Sequence, residues 1–399
     1  MWAAAAARRN DMQGLDSTAG IDRKATLALY ASKLPHAELG LLRGVLAGCI
    51  RLQKRLFDAK LVASPLCAFC GLCDETLQHC FWDCPKWDHI RTQFDLPLAS
   101  TRASWFACTR DCGLFLEDPC VVALPQQLEQ EELETQDLDS KFACTECWNS
   151  VVALQDVHVK QKIWTDGAAS HNQDYRFRRA GCGIFYGNDN NMNLSTIVPG
   201  RQQGNQRAEL LAVLLSCLRD PRPLDIRSDS EYVCKGFASW KLWCDSGWKH
   251  DHADLWNRLA KHQQSRAPEV SVTWVKGHAK AIDVARGRTT DEDKRGNDGA
   301  DKLAVAGAAM HQVSAEVVAA ASLRKTNALH VQQMMVAILK ARFLAESLAR
   351  NDAECPDRGS EMGDCIETLP DNEPASDNED CTELGNLDDD FDLGANILT

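Results

Sequence analysis

From about residue 159 the chain alternates short β-branched and aromatic runs with longer stretches that place apolar residues every three or four positions. HVKQKIWTD, GCGIFYG and MNLSTIV read as strands, and NQRAELLAVLLSCLRD reads as a strongly amphipathic helix. PLDIRSD and VSVTWVKG predict two further strands, and helices are expected at 231–246, 253–264 and 297–310. Strands interleaved with helices indicate an α/β domain. Upstream, residues 21–63 show helical periodicity, with Leu39, Leu42, Val45 and Leu46 apolar beside Arg43, Arg51, Lys54 and Arg55. A cysteine-rich block follows at 67–84. Residues 96–158 are mixed, and their acidic, Gln-rich QQLEQEELETQDLD reads as a linker or exposed helix. Residues 322–350 predict one more amphipathic helix, or a pair. No internal repeat is visible.

Charge changes this picture in one place. The chain of 399 residues has a formal charge of −13, but residues 351–399 carry sixteen Asp/Glu and one Arg. That tail holds −15, which leaves +2 on residues 1–350. The acidity is therefore no argument against a polyanionic partner for the body, and the tail has the composition of a disordered segment. No apolar run reaches membrane-spanning length, so no membrane partner is expected. MWAAAAARRN lacks the order of a secretory signal, because its charges follow its apolar stretch. Eighteen cysteines in a chain read as intracellular, nuclear or cytoplasmic, suggest metal sites and reduced thiols more than disulfides.

Asp166 raises the main question. It directly follows a run that reads as a buried strand, where an unpaired carboxylate is costly. It is either a turn residue or a ligand for something positive. Asp229 stands at the equivalent end of the PLDIRSD strand, Glu209 in the first turn of the amphipathic helix, and Asp301 near the start of the last expected helix. Ligands gather outside the carboxyl ends of strands in open α/β sheets. Four carboxylates converging there would repel one another unless divalent cations stood between them. Such hard oxygen donors suit Mg²⁺ or Mn²⁺, and a pair of these ions serves phosphodiester displacement. Taken singly, each acid has a bland reading: a turn at Asp166, a dipole-favoured acid at Glu209, a helix cap at Asp229.

Taken together, TDGA, NQRAEL, SDSEYV, the run of Trp240, Trp243 and Trp248, DLW, WVKGHA and NDGADKLA resemble the type 1 ribonuclease H family over roughly residues 160–312. The resemblance implies a five-stranded mixed sheet flanked by helices. It implies hydrolysis of the RNA strand of RNA–DNA hybrids with two Mg²⁺ or Mn²⁺ ions. Asp166, Glu209, Asp229 and Asp301 become the metal-binding carboxylates, and His278 the loop histidine that assists proton transfer or product release. Asn172, Asn205 and Gln206 match amides that read the RNA 2′-hydroxyl, and Trp240 an aromatic residue packed on the DNA strand's sugar. Trp248 and Trp256 read as packing residues. Three departures stand out: Gly204 replaces a usual phosphate-holding threonine, KHDHAD is too short for the long basic handle of some relatives, and the His278–Asp301 connection is long.

The block SPLCAFCGLCDETLQHCFWDCPKW holds Cys67, Cys70, His79 and Cys84 at spacings that suit one closed, structural Zn²⁺ site. Cys73 and Cys80 read as spares or alternative ligands. Cys108, Cys112, Cys144 and Cys147 admit a second site, although ordinary thiols are the simpler reading. ETLQH and WDCP resemble the zinc-binding domain that follows the reverse transcriptase of non-LTR retrotransposons. That resemblance implies a retroelement origin and admits a reverse transcriptase as a partner. Residues 1–66 are too few for a polymerase palm, and no YADD-like stretch occurs. The expected organisation is a helical segment at 1–60, a zinc module at 61–95, a linker at 96–158, the nuclease at 159–312, a helical extension at 313–350 and the acidic tail. The rival readings are a decayed nucleic-acid-binding module and a protein-interaction scaffold using the tail.

Overall fold

A computed structural model of the chain describes residues 2–17, 19–135, 160–247, 249, 251–266 and 268–354. Cys144, Cys147, Trp248 and the acidic tail from residue 355 lie outside the described residues. The chain divides into two compact units, one of Met1–Asp118 with Ala320–Thr399 and the other of Pro119–Ala319.

The first unit is built from short helices, including α1 (His36–Leu46) and α2 (Ala107–Cys112). The periodicity of residues 21–63 is broken into several helices, since Pro35 caps α1 and Gly48 turns the chain with a φ of +60°. Leu42, Val45 and Leu46 of α1 join Phe81, Trp87, Cys108 and Phe115 in one core. The C-terminal helix, Ala315–Glu354, adds Val331, Met334, Met335 and Ile338 to that core. Side chains between Met12 and Phe115 and between Ala328 and Leu339 therefore share a single interior. Polar groups fix the register. Buried Gln332 donates to the carbonyls of Thr26 and Gly113 at 2.9 Å each. Buried Arg342 pairs with Glu75 at 3.1 Å, donates to the Cys80 sulfur at 2.7 Å and lies over the Phe69 ring.

The second unit opens with α3 (Pro119–Thr135), which takes in most of the Gln-rich stretch read as a linker or exposed helix. Its acids face the sheet-bearing part of the same unit: Glu129 pairs with Arg201 at 2.7 Å, and Glu131 with His311 at 3.0 Å. The sheet has five strands, β1 (Gln161–Ser170), β2 (Arg179–Phe185), β3 (Leu194–Ile197), β4 (Leu224–Ser228) and β5 (Val270–Trp274), in the order β3-β2-β1-β4-β5. β1 pairs antiparallel with β2 and parallel with β4, so the sheet is mixed as expected. Helices α4 (Asn205–Arg219), α5 (Glu231–Asp245) and α6 (Ala253–Ser265) follow the pattern read from sequence. A short α7 (Ala281–Ala285) precedes α8 (Asp291–Ala309). Ile163, Ile184, Ile226, Leu210 and Leu214 fill the core together with Trp256, which is wholly buried.

Helix α8 starts six residues before the expected Asn297, at a Thr290 cap whose hydroxyl accepts from the Asp293 N–H at 3.0 Å. Gly296 weakens a helix by propensity, yet a Cβ there would stand 2.0 Å from the Trp164 ring. The helix also lies against β2, where a Cβ on Gly183 would lie 2.2 Å from the Ala300 carbonyl oxygen. Gly183→Ala should therefore cost at least about 1–3 kcal/mol of stability, as overpacking against an unyielding backbone does. Chemical denaturation of the full chain measures this, and an unchanged transition would contradict the helix–sheet contact.

Candidate active site

The pairing of the sheet explains where the acids meet. The parallel rungs of β1 and β4 end at Thr165 opposite Ser228. Asp166 and Asp229 are the next residue on each strand. Asp166 is not in a turn: β1 runs on to Ser170, paired only with β2, and Asp166 faces Gly183 across that ladder. Nor does Asp229 cap a helix, since Ser230 caps α5 by accepting from the Val233 N–H. Glu209 sits in the second turn of α4, because that helix begins at Asn205. There it is buried, with no benefit from the helix end. A Cβ on Gly167 would come 2.5 Å from the Glu209 backbone nitrogen, so only glycine lets β1 bring α4 this close.

One carboxylate oxygen each from Asp166, Glu209 and Asp229 lies within 4.8 Å of the others. Asp301 is the eleventh residue of α8 rather than near its start, and lies outside this tight group. Its charge still contributes to raising the Asp166 pKa. The Glu209 Oε2 atom is buried with no hydrogen-bond partner among the described residues. An orphaned buried oxygen beside two further carboxylates is the donor set a hard divalent cation takes.

The remaining residues singled out from sequence surround this group unequally. Asn205 and Gln206 are exposed in the first turn of α4, one turn before Glu209. Asn172 is exposed beyond the end of β1, its amide donating to the Ala169 carbonyl at 3.2 Å. Trp240 is half-buried on α5 with the Lys241 ammonium over its ring at 5.5 Å. His278 is exposed in a left-handed conformation, φ +46°, directly after a glycine whose Cβ would stand 2.2 Å from the Asp229 Oδ2. Sequence reading missed Asn297, buried one turn before Asp301, whose amide donates to Asp229 Oδ2 at 3.3 Å. Its spacing four residues before Asp301 was the available signal.

In the first unit, ligand atoms of Cys67, Cys70, His79 and Cys84 likewise lie within 4.8 Å of one another. The Cys67 and Cys84 sulfurs are 3.9 Å apart, and the Cys70 sulfur is 3.3 Å from His79 Nε2. Tetrahedral zinc with Zn–S bonds of about 2.3 Å sets sulfurs about 3.8 Å apart, so the four donors fit such an ion. Cys73 is exposed and Cys80 faces Arg342, so neither belongs to the set. Cys108 and Cys112 belong to no metal-competent group among the described residues.

Electrostatics gives the carboxylate group a measurable signature. Burial, and then the Asp229 charge, push the Asp166 pKa up to about 7. Burial, followed by the Asp166 and Asp229 charges, raises Glu209 well above the carboxylate range. A group whose folded pKa is raised stabilises the fold fully below its unfolded value and loses that contribution as pH rises through the folded value. In EDTA, calorimetry on the full chain should therefore show the transition of the sheet-bearing unit falling between about pH 4 and about pH 7. Asp166→Asn should flatten that fall, and parallel wild-type and variant profiles would contradict it.

The RNase H family profile matches residues 158–309. A ribonuclease H of Schizosaccharomyces pombe is 35% identical over 127 residues, 30% of this chain and 47% of that protein, so the chain spans about half that relative's length. Ribonuclease HI of Caulobacter vibrioides is 36% identical over 135 residues, covering 30% of this chain and 82% of the relative. Ribonuclease H of Bordetella bronchiseptica is 31% identical over 150 residues, 32% of this chain and 92% of the relative. Among solved structures, the prototype foamy virus RNase H domain is 25% identical, with 38% of this chain and 96% of that domain covered at a TM-score of 0.31. The acids that converge beyond β1 and β4 lie within the matched segment, and the chain belongs to the ribonuclease H family.

Proposed function

We propose that this protein is a metal-dependent endonuclease that hydrolyses the RNA strand of RNA–DNA hybrids. The observation that carries the reading is the convergence of Asp166, Glu209 and Asp229 within 4.8 Å at the ends of the parallel strands. These residues would hold Mg²⁺ or Mn²⁺, with Asp301 completing a second ion's site. When bound, a pair of such ions activates the attacking water and stabilises charge on the phosphate. Asn297 and the Gly277 backbone hold the Asp229 carboxylate in place. His278, exposed on its loop, would move a proton to or from the reacting centre.

Selectivity for RNA would come from amides that read the 2′-hydroxyl. Asn205 and Gln206 precede Glu209 by one helical turn, and Asn172 follows Asp166 by six residues. Trp240 would pack on a sugar of the DNA strand. Gly204 offers no hydroxyl at the start of α4, where related enzymes hold a DNA phosphate with threonine. Cys67, Cys70, His79 and Cys84 would hold one structural Zn²⁺ that fixes the first unit. The order of this Cys/His site and then the nuclease supports descent from a retroelement, with a reverse transcriptase as a partner.

Purified protein should cleave RNA in a hybrid, leave single-stranded RNA and DNA duplex largely intact, and stop with EDTA. Asp166→Asn should lower the rate by more than about a hundredfold, because even outer partners of metal ligands are worth about 10- to 100-fold. It should remain folded, since losing one charge relieves repulsion in the group. A variant as active as the wild type would refute the mechanism.

The Cys/His site has a separate test. Freshly purified, reduced protein should contain about one zinc per chain. Cys67→Ser with Cys70→Ser should lose it and unfold the first unit while sparing hybrid cleavage. Metal analysis showing no zinc in the wild type would overturn the assignment.

A further inference from the structure

The segment between β5 and α8 leaves the Asp229 carboxylate and returns to it. At its start the Trp274 indole donates to the Asp229 carbonyl at 3.0 Å, and the Gly277 backbone packs against the Asp229 side chain. At its end Asn297 donates to Asp229 Oδ2 at 3.3 Å. The excursion is thus tied at both ends to one acid of the candidate active site.

Its charges are sorted. Residues 276–290 hold four basic side chains, Lys276, Lys280, Arg286 and Arg288, and one acid, Asp283. Asp283 is buried, accepts from the Lys280 N–H at 3.0 Å and pairs with Arg288 at 3.3 Å. The Arg288 N–H closes the loop by donating to the Asp283 carbonyl at 2.9 Å. The next acids along the chain are also engaged, Asp291 with Arg295, Glu292 with Lys162, and Asp293 with Thr290 and Trp164. Lys280 and Arg286 are exposed and make no ion pair among the described residues. The lone acid thus stiffens the loop from within, while Lys280 and Arg286 stay exposed on a segment flanked by contacts to Asp229.

A hybrid is a dense polyanion, and a body of charge near +2 offers it little long-range attraction. The stretch after α5 that could carry a basic handle is short in this chain. We propose that residues 276–290 form a phosphate clamp, in which Lys280 and Arg286 hold backbone phosphates of the RNA–DNA hybrid next to the cleaved bond. This rests on the nuclease reading above and adds the residues that hold its substrate. The clamp binds without choosing sequence, because backbone phosphates position a nucleic acid and carry no base information.

The test uses the full chain with Lys280→Ala and Arg286→Ala combined, and a charge-keeping pair, Lys280→Arg with Arg286→Lys. Steady-state cleavage of a mixed-sequence RNA–DNA hybrid in Mg²⁺ should show KM raised at low salt and kcat as in the wild type. Hybrid binding, measured by fluorescence anisotropy in the non-cleaving Asp166→Asn background, should depend less on salt. Losing two phosphate contacts lowers the slope of log Kd against log salt by about 1.8, so raising salt from about 50 to about 200 mM costs the double variant about tenfold less affinity than its parent. The charge-keeping pair should restore both quantities. Equal KM and equal slope in the alanine variant would overturn the clamp while leaving the nuclease standing. A wild-type protein that binds the hybrid but does not cleave it in Mg²⁺ or Mn²⁺ would instead overturn the nuclease reading.

Discussion

Three carboxylates whose oxygens lie within 4.8 Å of one another, two of them buried, repel strongly. The nuclease unit is arranged around holding them there. The parallel ladder of β1 and β4 stops one residue before Asp166 and Asp229, which sets those two side by side. Gly167 lets α4 approach so that Glu209 reaches the same point from the second turn of its helix. Gly277 and Asn297 close on Asp229 from the other side. Glycine recurs because a Cβ at Gly167 would meet the Glu209 backbone and one at Gly277 the Asp229 carboxylate. Protonation would relieve the repulsion at low pH, and a bound divalent cation would relieve it at neutral pH.

Most of this arrangement was legible in the sequence, because the converging acids fall at pattern boundaries. Asp166 and Asp229 end apolar runs, and Glu209 breaks an otherwise apolar helix face. The exact positions were less legible. Glu209 was placed in a first turn and Asp301 near a helix start, since Gly204 gives no capping side chain and Gly296 obscures the beginning of α8. Asn297 was hidden for another reason. A buried amide has no periodicity of its own, and its meaning appears only when Asp229, sixty-eight residues earlier, lies across from it.

The first unit teaches a complementary lesson. The convergence of Cys67, Cys70, His79 and Cys84 was readable from their spacing, since residues that could hold one tetrahedral ion are constrained in sequence separation as well as in space. That a helix from the far end of the chain completes the same core was not readable. Its docking depends on Arg342 meeting Glu75 and Cys80, and on Gln332 meeting two carbonyls more than two hundred residues away. Burying an arginine is costly unless it is paired, so these contacts select one register for the helix. They also explain why Cys80, close in sequence to the Cys/His cluster, stands apart from it.

The central claim is that the carboxylate group is a cation site and not a set of structural acids. Calorimetric titration of Mg²⁺ or Mn²⁺ into the metal-free chain near pH 7, repeated in buffers of different ionisation heat, tests it most directly. With the Asp166 pKa pushed up to about 7 and burial and the neighbouring charges raising that of Glu209, the ion should bind saturably and displace protons into the buffer. Asp166→Asn should weaken the binding and reduce the proton release. Heats no larger than dilution, or binding that Asp166→Asn leaves unchanged, would contradict the account.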